Sequence, residues 1–198
     1  SKLKLHIATD TFDQAMDDVR ANLISVCDLL KKGMPLGDSI RINNDDYFNW
    51  REAFRIIQAF EIKKTTLKWV KAYQPDLGPG IKERFQMADK VSDKEFQNAN
   101  KIRQSVRHRM EQILDENSVL LMPTAPVIAP LISTKANELE TFRQNTMALT
   151  CVSGLTGVPQ ITMPVSEYSG CPIGLSIIGK RRTDKMLLKL ASEITRKL

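Results

Sequence analysis

The sequence predicts an α/β protein, a mixed β-sheet with helices on its faces, and three features carry that expectation. Residues 3–9 alternate Leu3, Leu5 and Ile7 against Lys4 and His6, and a helical pattern and a second strand follow. That is a β-α-β opening, which calls for parallel pairing. Val119 to Met122 is a continuous apolar run of strand length bounded by Pro-Thr-Ala-Pro, the pattern of a strand buried on both faces. Residues 160–165 and 173–179 read as strands joined by the short connection Glu167-Tyr-Ser-Gly170, which favours an antiparallel hairpin.

The elements follow in order. After a half-buried first strand, Asp10 or Thr11 is placed to cap a helix. Its inward stripe is Met16, Val19, Leu23, Val26, Cys27 and Leu30, and Gly33 stops it. Residues 39–43 form a short strand. A long helix is expected over 46–70, with Trp50, Ala53, Phe54, Ile57 and Phe60 on one side. Gln74-Pro-Asp-Leu-Gly-Pro-Gly80 breaks the chain, and Pro79 suits the first turn of the next helix. Ser92-Asp-Lys-Glu95 is a capping box that opens a helix to about residue 116, with Ala99, Ile102, Val106, Met110 and Ile113 inward. A helix over 137–153 ends in the Gly154 to Gly157 turn. Thr183 can cap a last helix whose Leu187, Leu190, Ala191, Ile194 and Leu198 face inward.

Composition narrows the function classes. The chain has 198 residues, 42% apolar and 26% charged, which is one soluble globular domain spanning 1–198. No apolar run reaches the roughly 18 residues of a membrane span, and no secretory h-region opens the chain, so no membrane partner is expected. The net charge is +6, but the cations alternate with acids and lack interleaved aromatics, so no nucleic-acid partner is expected. Three cysteines without a C-x-x-C and only two histidines give no zinc spacing and no disulfide framework; they point to a reducing, cytoplasmic compartment.

Five blocks in a fixed order carry a resemblance. They are Trp50-Arg-Glu-Ala-Phe-Arg-Ile-Ile-Gln58 with Glu61; Trp69 with Pro75-Asp-Leu-Gly-Pro-Gly-Ile81 and Arg84-Phe85; Val119-Leu-Leu-Met-Pro-Thr-Ala-Pro126; Leu149-Thr-Cys-Val-Ser-Gly-Leu-Thr-Gly-Val-Pro-Gln-Ile-Thr-Met-Pro164; and Pro172-Ile-Gly-Leu-Ser-Ile-Ile-Gly179. Together they resemble the C-terminal half of an amidase-signature hydrolase, and the Pro-Asp-Leu-Gly-Pro-Gly run is most similar to the branch that includes indole-3-acetamide hydrolases. The resemblance implies the C-terminal portion of the amidase-signature fold. It also implies hydrolysis of a carboxamide to acid and ammonia by a Ser–cis-Ser–Lys triad, without metal or cofactor.

The Gly/Ser-rich signature and the lysine of that triad match nothing here. The sequence has no Ser-Ser dipeptide and no Gly-x-Ser-x-Gly elbow, so no catalytic residue is assigned and the chain alone is expected to be inactive. The resemblance implies that Pro123, Thr124, Ala125, Met147, Thr150 and Cys151 wall the acyl pocket. Amidotransferase relatives that take glutamine carry an aspartate where Met147 falls, and a thioether there suits an apolar acyl group. The other reading of Met147 and Cys151 is ordinary helix core. Lys63-Lys-Thr-Thr-Leu67 departs from the His-Gly pair common in that branch.

The expected function is therefore the non-catalytic C-terminal portion of an amidase, which acts on a small amide only in the complete enzyme. The alternative is a stand-alone binding or scaffold module that kept the fold without the activity. The missing N-terminal half, or a homo-oligomer partner, is expected to cover apolar surface and a strand edge.

Overall fold

The computed structural model describes residues 3–43, 46–78 and 80–198. In chain order the elements are β1 (Lys4–Ala8), α1 (Thr9–Asp13), α2 (Asp17–Lys31), β2 (Leu36–Ile40), α3 (Tyr47–Thr65), α4 (Leu67–Tyr73), α5 (Ile81–Lys90), α6 (Asp93–Ile113), β3 (Ser118–Pro123), α7 (Ala136–Thr156), β4 (Gln160–Tyr168), β5 (Cys171–Gly179) and α8 (Asp184–Lys197). The strands form one five-stranded sheet in the order β2-β1-β3-β5-β4. β1 is parallel to both β2 and β3, whereas β5 is antiparallel to β3 and β4. The sheet is mixed, with its parallel part at the start of the chain and an antiparallel hairpin at the end.

The apolar run at 119–122 becomes the middle strand, and all six residues of β3 are buried. The pleat divides them. Val119 and Leu121 join Leu5, Leu175 and Ile177 under α2 and α8, and Leu120 and Met122 join Ala8 and Ile178 under α3, α6 and α7. β1 is not the half-buried strand its alternation suggests, because it has a neighbour on each edge and helices on each face. His6 is buried with it, and its Nδ1 accepts the Asp38 N–H at 2.9 Å. Gly37 permits that approach: a Cβ there would lie 2.5 Å from the imidazole.

Several boundaries moved for physical reasons. Asp10 and Thr11 do not cap a helix. The Asp10 side chain is wholly buried and accepts the N–H groups of Ile42 and Asn43 and the hydroxyl of Tyr47, at 2.9, 2.8 and 2.6 Å. The Thr11 hydroxyl donates to the Ala8 carbonyl at 2.6 Å. The chain therefore makes the single turn α1 and restarts at Asp17, which leaves Met16 exposed as a cap residue instead of in the core stripe. Ile42 and Asn43 belong to the Asp10 loop, so β2 lies earlier than the expected 39–43.

The helix expected over 46–70 breaks at Thr66, where the preceding Thr65 hydroxyl turns back onto the Glu61 carbonyl at 2.8 Å. Gln74, at φ 43°, ends α4. Pro79 lies outside the described residues. The capping box of α6 forms as expected: Ser92 Oγ accepts the Glu95 N–H and Glu95 Oε2 accepts the Ser92 N–H.

The helix expected to end near Ser153 runs on to Thr156 and closes at Gly157, φ 73°. Gly154 sits inside it because Phe54 packs onto the bare backbone; a Cβ would lie 2.3 Å from the ring. The hairpin turn is Ser169-Gly170, both at positive φ, which suits the twist of adjoining strands. Thr183 precedes α8 without capping it by its side chain, since its hydroxyl donates to the Lys180 carbonyl. Leu198 is exposed, unlike the rest of the inward stripe of α8.

Candidate functional site

The loop beyond β3 is fixed by polar contacts. The Thr124 N–H donates to the Gly174 carbonyl at 3.0 Å, and its Oγ1 lies 2.7 Å from Ser176 Oγ. Strand alternation sends Ser176 to the opposite face from Leu175 and Ile177, where it is wholly buried. It accepts from Gln160 Nε2 at 2.9 Å, and Gln160 Oε1 accepts the Ser153 hydroxyl at 2.6 Å. Thr162 Oγ1 sits 3.3 Å from both Thr124 Oγ1 and Ser176 Oγ. A row of hydroxyl and amide groups thus runs from the Pro123 loop, across β5 and β4, to α7. Gly174 lets it close, because a Cβ there would lie 3.0 Å from both Thr124 Oγ1 and Thr162 Cγ2.

Nothing local in the sequence links Ser153 to Ser176. Their meeting depends on pairing between β4 and β5, which puts Thr162 opposite Ser176. The signal available was the polar pair Gln160 and Thr162 at alternate positions of β4, with Ser176 on β5. Chemically the row can orient a ligand but has no base to activate a nucleophile. Among the described residues, no hydrogen bond joins a serine, threonine or cysteine side chain to the side chain of a lysine or histidine.

Met147 faces a different space. It lines a cavity of 310 Å³ between α3, α5 and α7, together with Met87, Arg51, Arg55, Arg143 and Gln144. Arg51 lies over the Phe48 ring, 5.0 Å from its centroid, and reaches Gln144 Oε1 at 3.3 Å. Arg55 pairs with Glu52 at 2.8 Å. The two thioethers therefore share the cavity with guanidinium and carboxylate groups.

Thr150 and Cys151 sit one turn further along α7. The Thr150 hydroxyl donates to the Thr146 carbonyl at 2.9 Å. The Cys151 thiol is buried in the cluster around Trp50 and Met122, donates to the Ala148 carbonyl at 3.4 Å, and is pushed up to about 12 by that burial. Cys151 is thus an inert core thiol. Of the six expected wall residues, Pro123 ends β3 and Thr124 and Ala125 follow it in the loop, Met147 alone lines the cavity, and Thr150 and Cys151 stand on α7.

Another cavity, 660 Å³, lies between α4 and α5 against Pro75, Asp76 and Leu77. Lys71 and Asp89 pair beside it at 2.7 Å, and that hydrogen bond holds the Asp89 carboxyl below its usual range. None of the six expected wall residues lines it. Among the described residues, no cluster of three His, Cys, Asp or Glu side chains is placed to hold a metal ion.

Comparison with known proteins fits this architecture. Amidase 1 from Arabidopsis thaliana is 28% identical over 142 residues, covering 72% of this chain and 33% of that protein. Outer envelope protein 64, chloroplastic, from the same plant is 25% identical over 134 residues, covering 68% of this chain and 23% of that protein. The chain thus spans about a third or less of these relatives. A crystal structure of an amidase superposes with a TM-score of 0.78 at 20% identity, over 100% of this chain and 46% of that one. At that identity the likeness is one of fold. Residues 39–188 match the Amidase family, and with most of its length inside that match the chain belongs to that family.

Proposed function

We propose that these residues are the C-terminal part of a carboxamide hydrolase and form one wall of its acyl pocket. Bond cleavage belongs to a Ser–cis-Ser–Lys triad on polypeptide outside them. In that mechanism a serine attacks the amide carbonyl, the amine leaves as ammonia after taking a proton, and water hydrolyses the acyl-enzyme. No metal or cofactor enters.

The observation that carries the reading is the hydroxyl row from Thr124 through Ser176 to Ser153. It is an ordered polar surface beside the Pro123 loop, with no base of its own. A catalytic group brought by the rest of the enzyme would complete it. Pro123, Thr124, Ala125, Met147 and Thr150 then position the substrate, and Cys151 backs them from the core. The thioethers of Met87 and Met147 line one cavity and suit an aromatic acyl group, since sulfur packs well against ring edges. Together with Pro75-Asp-Leu-Gly-Pro-Gly80, they favour the branch of indole-3-acetamide hydrolases.

The partner is the N-terminal half of the enzyme or a second copy. Among the described residues β4 pairs only with β5 and offers a nine-residue edge, and Leu131 and Ile132 stand exposed. The buried thiols Cys27 and Cys151, and the absence among the described residues of any helix long and apolar enough to cross a membrane, support a cytoplasmic setting.

The test is complementation. The chain is mixed with a separately produced segment that carries the Gly/Ser-rich signature and its lysine, and ammonia release from indole-3-acetamide is followed. Activity in the mixture and none in either part supports the reading. Ammonia released by the chain alone, and lost in Ser176→Ala or Cys151→Ala, overturns it.

A further inference from the structure

At the end of the sheet where β3 begins, two cavities meet at a pair of arginines. Val119 is paired with Gly179 and Pro123 with Leu175, so this end lies about 15 Å from the Pro123 loop at the usual strand rise. One cavity, 300 Å³, is bounded by Arg103, Arg107 and Arg181 around the last turn of α7. The other, 360 Å³, also includes Arg107 and Arg181, and its apolar wall is Met110, Leu114 and Val158.

Among the described residues the guanidinium groups are under-paired. Arg103 and Arg107 each hold a buried Nε with no hydrogen-bond partner. The ion pair of Arg103 is with the exposed Glu61, at 3.9 Å. Among the described residues, Arg107 and Arg181 make no hydrogen bond or ion pair. A buried N–H without an acceptor is costly and calls for an explanation. Compensation of the negative end of α7 is the plainest one, but none of the three donates to a carbonyl of that helix among the described residues. The Arg181 guanidinium lies alongside Gly157, 3.6 Å from where a Cβ would stand.

Among the described residues, Glu61 is the acid paired with this group, through Arg103. Asp115 is taken by the Ser118 hydroxyl and the Asn117 N–H, and Glu116 by Lys180. Glu111 and Asp115 both border the apolar cavity, and their carboxylates set a limit on the ligand, since a negative charge in that second space would be repelled.

We propose that Arg103, Arg107 and Arg181 form a second binding site for a small organic anion, with its oxyanion head on the guanidinium groups and its apolar body against Met110, Leu114 and Val158. The fork geometry of arginine matches carboxylate and phosphate alike. The adjoining apolar wall selects an anion that carries a hydrocarbon or ring. This site is independent of the reading proposed above and does not include Met147.

Methyl spectra of methionine-labelled protein test it, with phenylacetate, phenyl phosphate and the neutral phenylacetamide as probes. At least one of the two anions is expected to shift the Met110 methyl saturably, and the amide is not. Response to phenylacetate alone assigns a carboxylate ligand; response to phenyl phosphate alone assigns a phosphate ester. Arg107→Gln raises the Kd at least tenfold, and Arg143→Gln, in the Met147 cavity, leaves it within twofold. If Arg107→Gln fails to fold, the exposed Arg181→Gln takes its place. No saturable shift with either anion, an equal shift with the amide, or unchanged binding in the arginine variant overturns the proposal.

Discussion

Asp10 offers the sharpest test of how the first β-α-β unit is held. Its side chain is 0% exposed and accepts three donors, the N–H groups of Ile42 and Asn43 and the Tyr47 hydroxyl. These donors follow β2 and open α3, so one carboxyl group ties the end of β1 to both. Asp10→Ala removes the acceptors and leaves the donors in place. Each orphaned buried donor costs about 1–3 kcal/mol, so the variant is expected to lose about 3–5 kcal/mol once water partly refills the gap. Asp10→Asn keeps the shape but turns an N–H₂ group towards a donor, for a loss of about 2–3 kcal/mol. Tyr47→Phe removes one donor and loses about 1–2 kcal/mol. The double variant Asp10→Ala/Tyr47→Phe should fall short of the sum by about 1 kcal/mol, because the two share a bond. Urea unfolding followed by Trp50 and Trp69 fluorescence reads these differences through the midpoint at constant slope. A loss below about 1 kcal/mol for Asp10→Ala would refute the argument, since at least two backbone donors would then have been satisfied elsewhere.

Four further outcomes are expected. Met122→Ala, in the wholly buried middle strand, should cost about 2–5 kcal/mol by cavity formation, read in the same urea assay. Ser92→Ala removes one half of the capping box of α6 and should cost about 1 kcal/mol, with α6 amides near its start exchanging faster with deuterium. Iodoacetamide should label the half-buried Cys171 well before Cys27 and Cys151, whose thiols burial pushes up to about 11 and about 12. Because both values are raised on folding, the protonated thiols favour the folded state. Stability from this source is intact below the ordinary thiol value of 9.0 and falls as pH rises towards 11–12. Midpoints at pH 8 and pH 10.5 that coincide, after correction for the other titrating groups in a Cys27→Ala/Cys151→Ala variant, would contradict this.

Much of the scaffold was legible because the signals are local. The capping box at Ser92 and Glu95 lies within one turn. The stripe Ala99, Val106 and Met110 repeats at helical spacing, and the run at 119–122 has no polar residue to place on a wet face. Where reading failed, a distant group had intervened. Asp10 reads as a helix cap because aspartate caps helices, and nothing within ten residues shows that Ile42, Asn43 and Tyr47 will claim its oxygens. Gly154 reads as a helix stop because Phe54, a hundred residues earlier, is invisible beside it. The break at Thr66 came without glycine or proline.

The candidate site divides along the same line. The order of five blocks was enough to name the family and to place Pro123, Thr124 and Ala125 beyond a buried strand. Short-range order along the chain sets periodicity, caps and turns, and these were fixed before any folding was considered. The joining of Ser153, Gln160, Ser176 and Thr124 into one row required the register of β4 on β5 and of β5 on β3. The meeting of Arg103 and Arg107 with Arg181 required α6 to pack beside the loop after β5. Such juxtapositions come from burying apolar faces against one another, a global minimisation that the polar groups follow, so their geometry exists only in the folded chain.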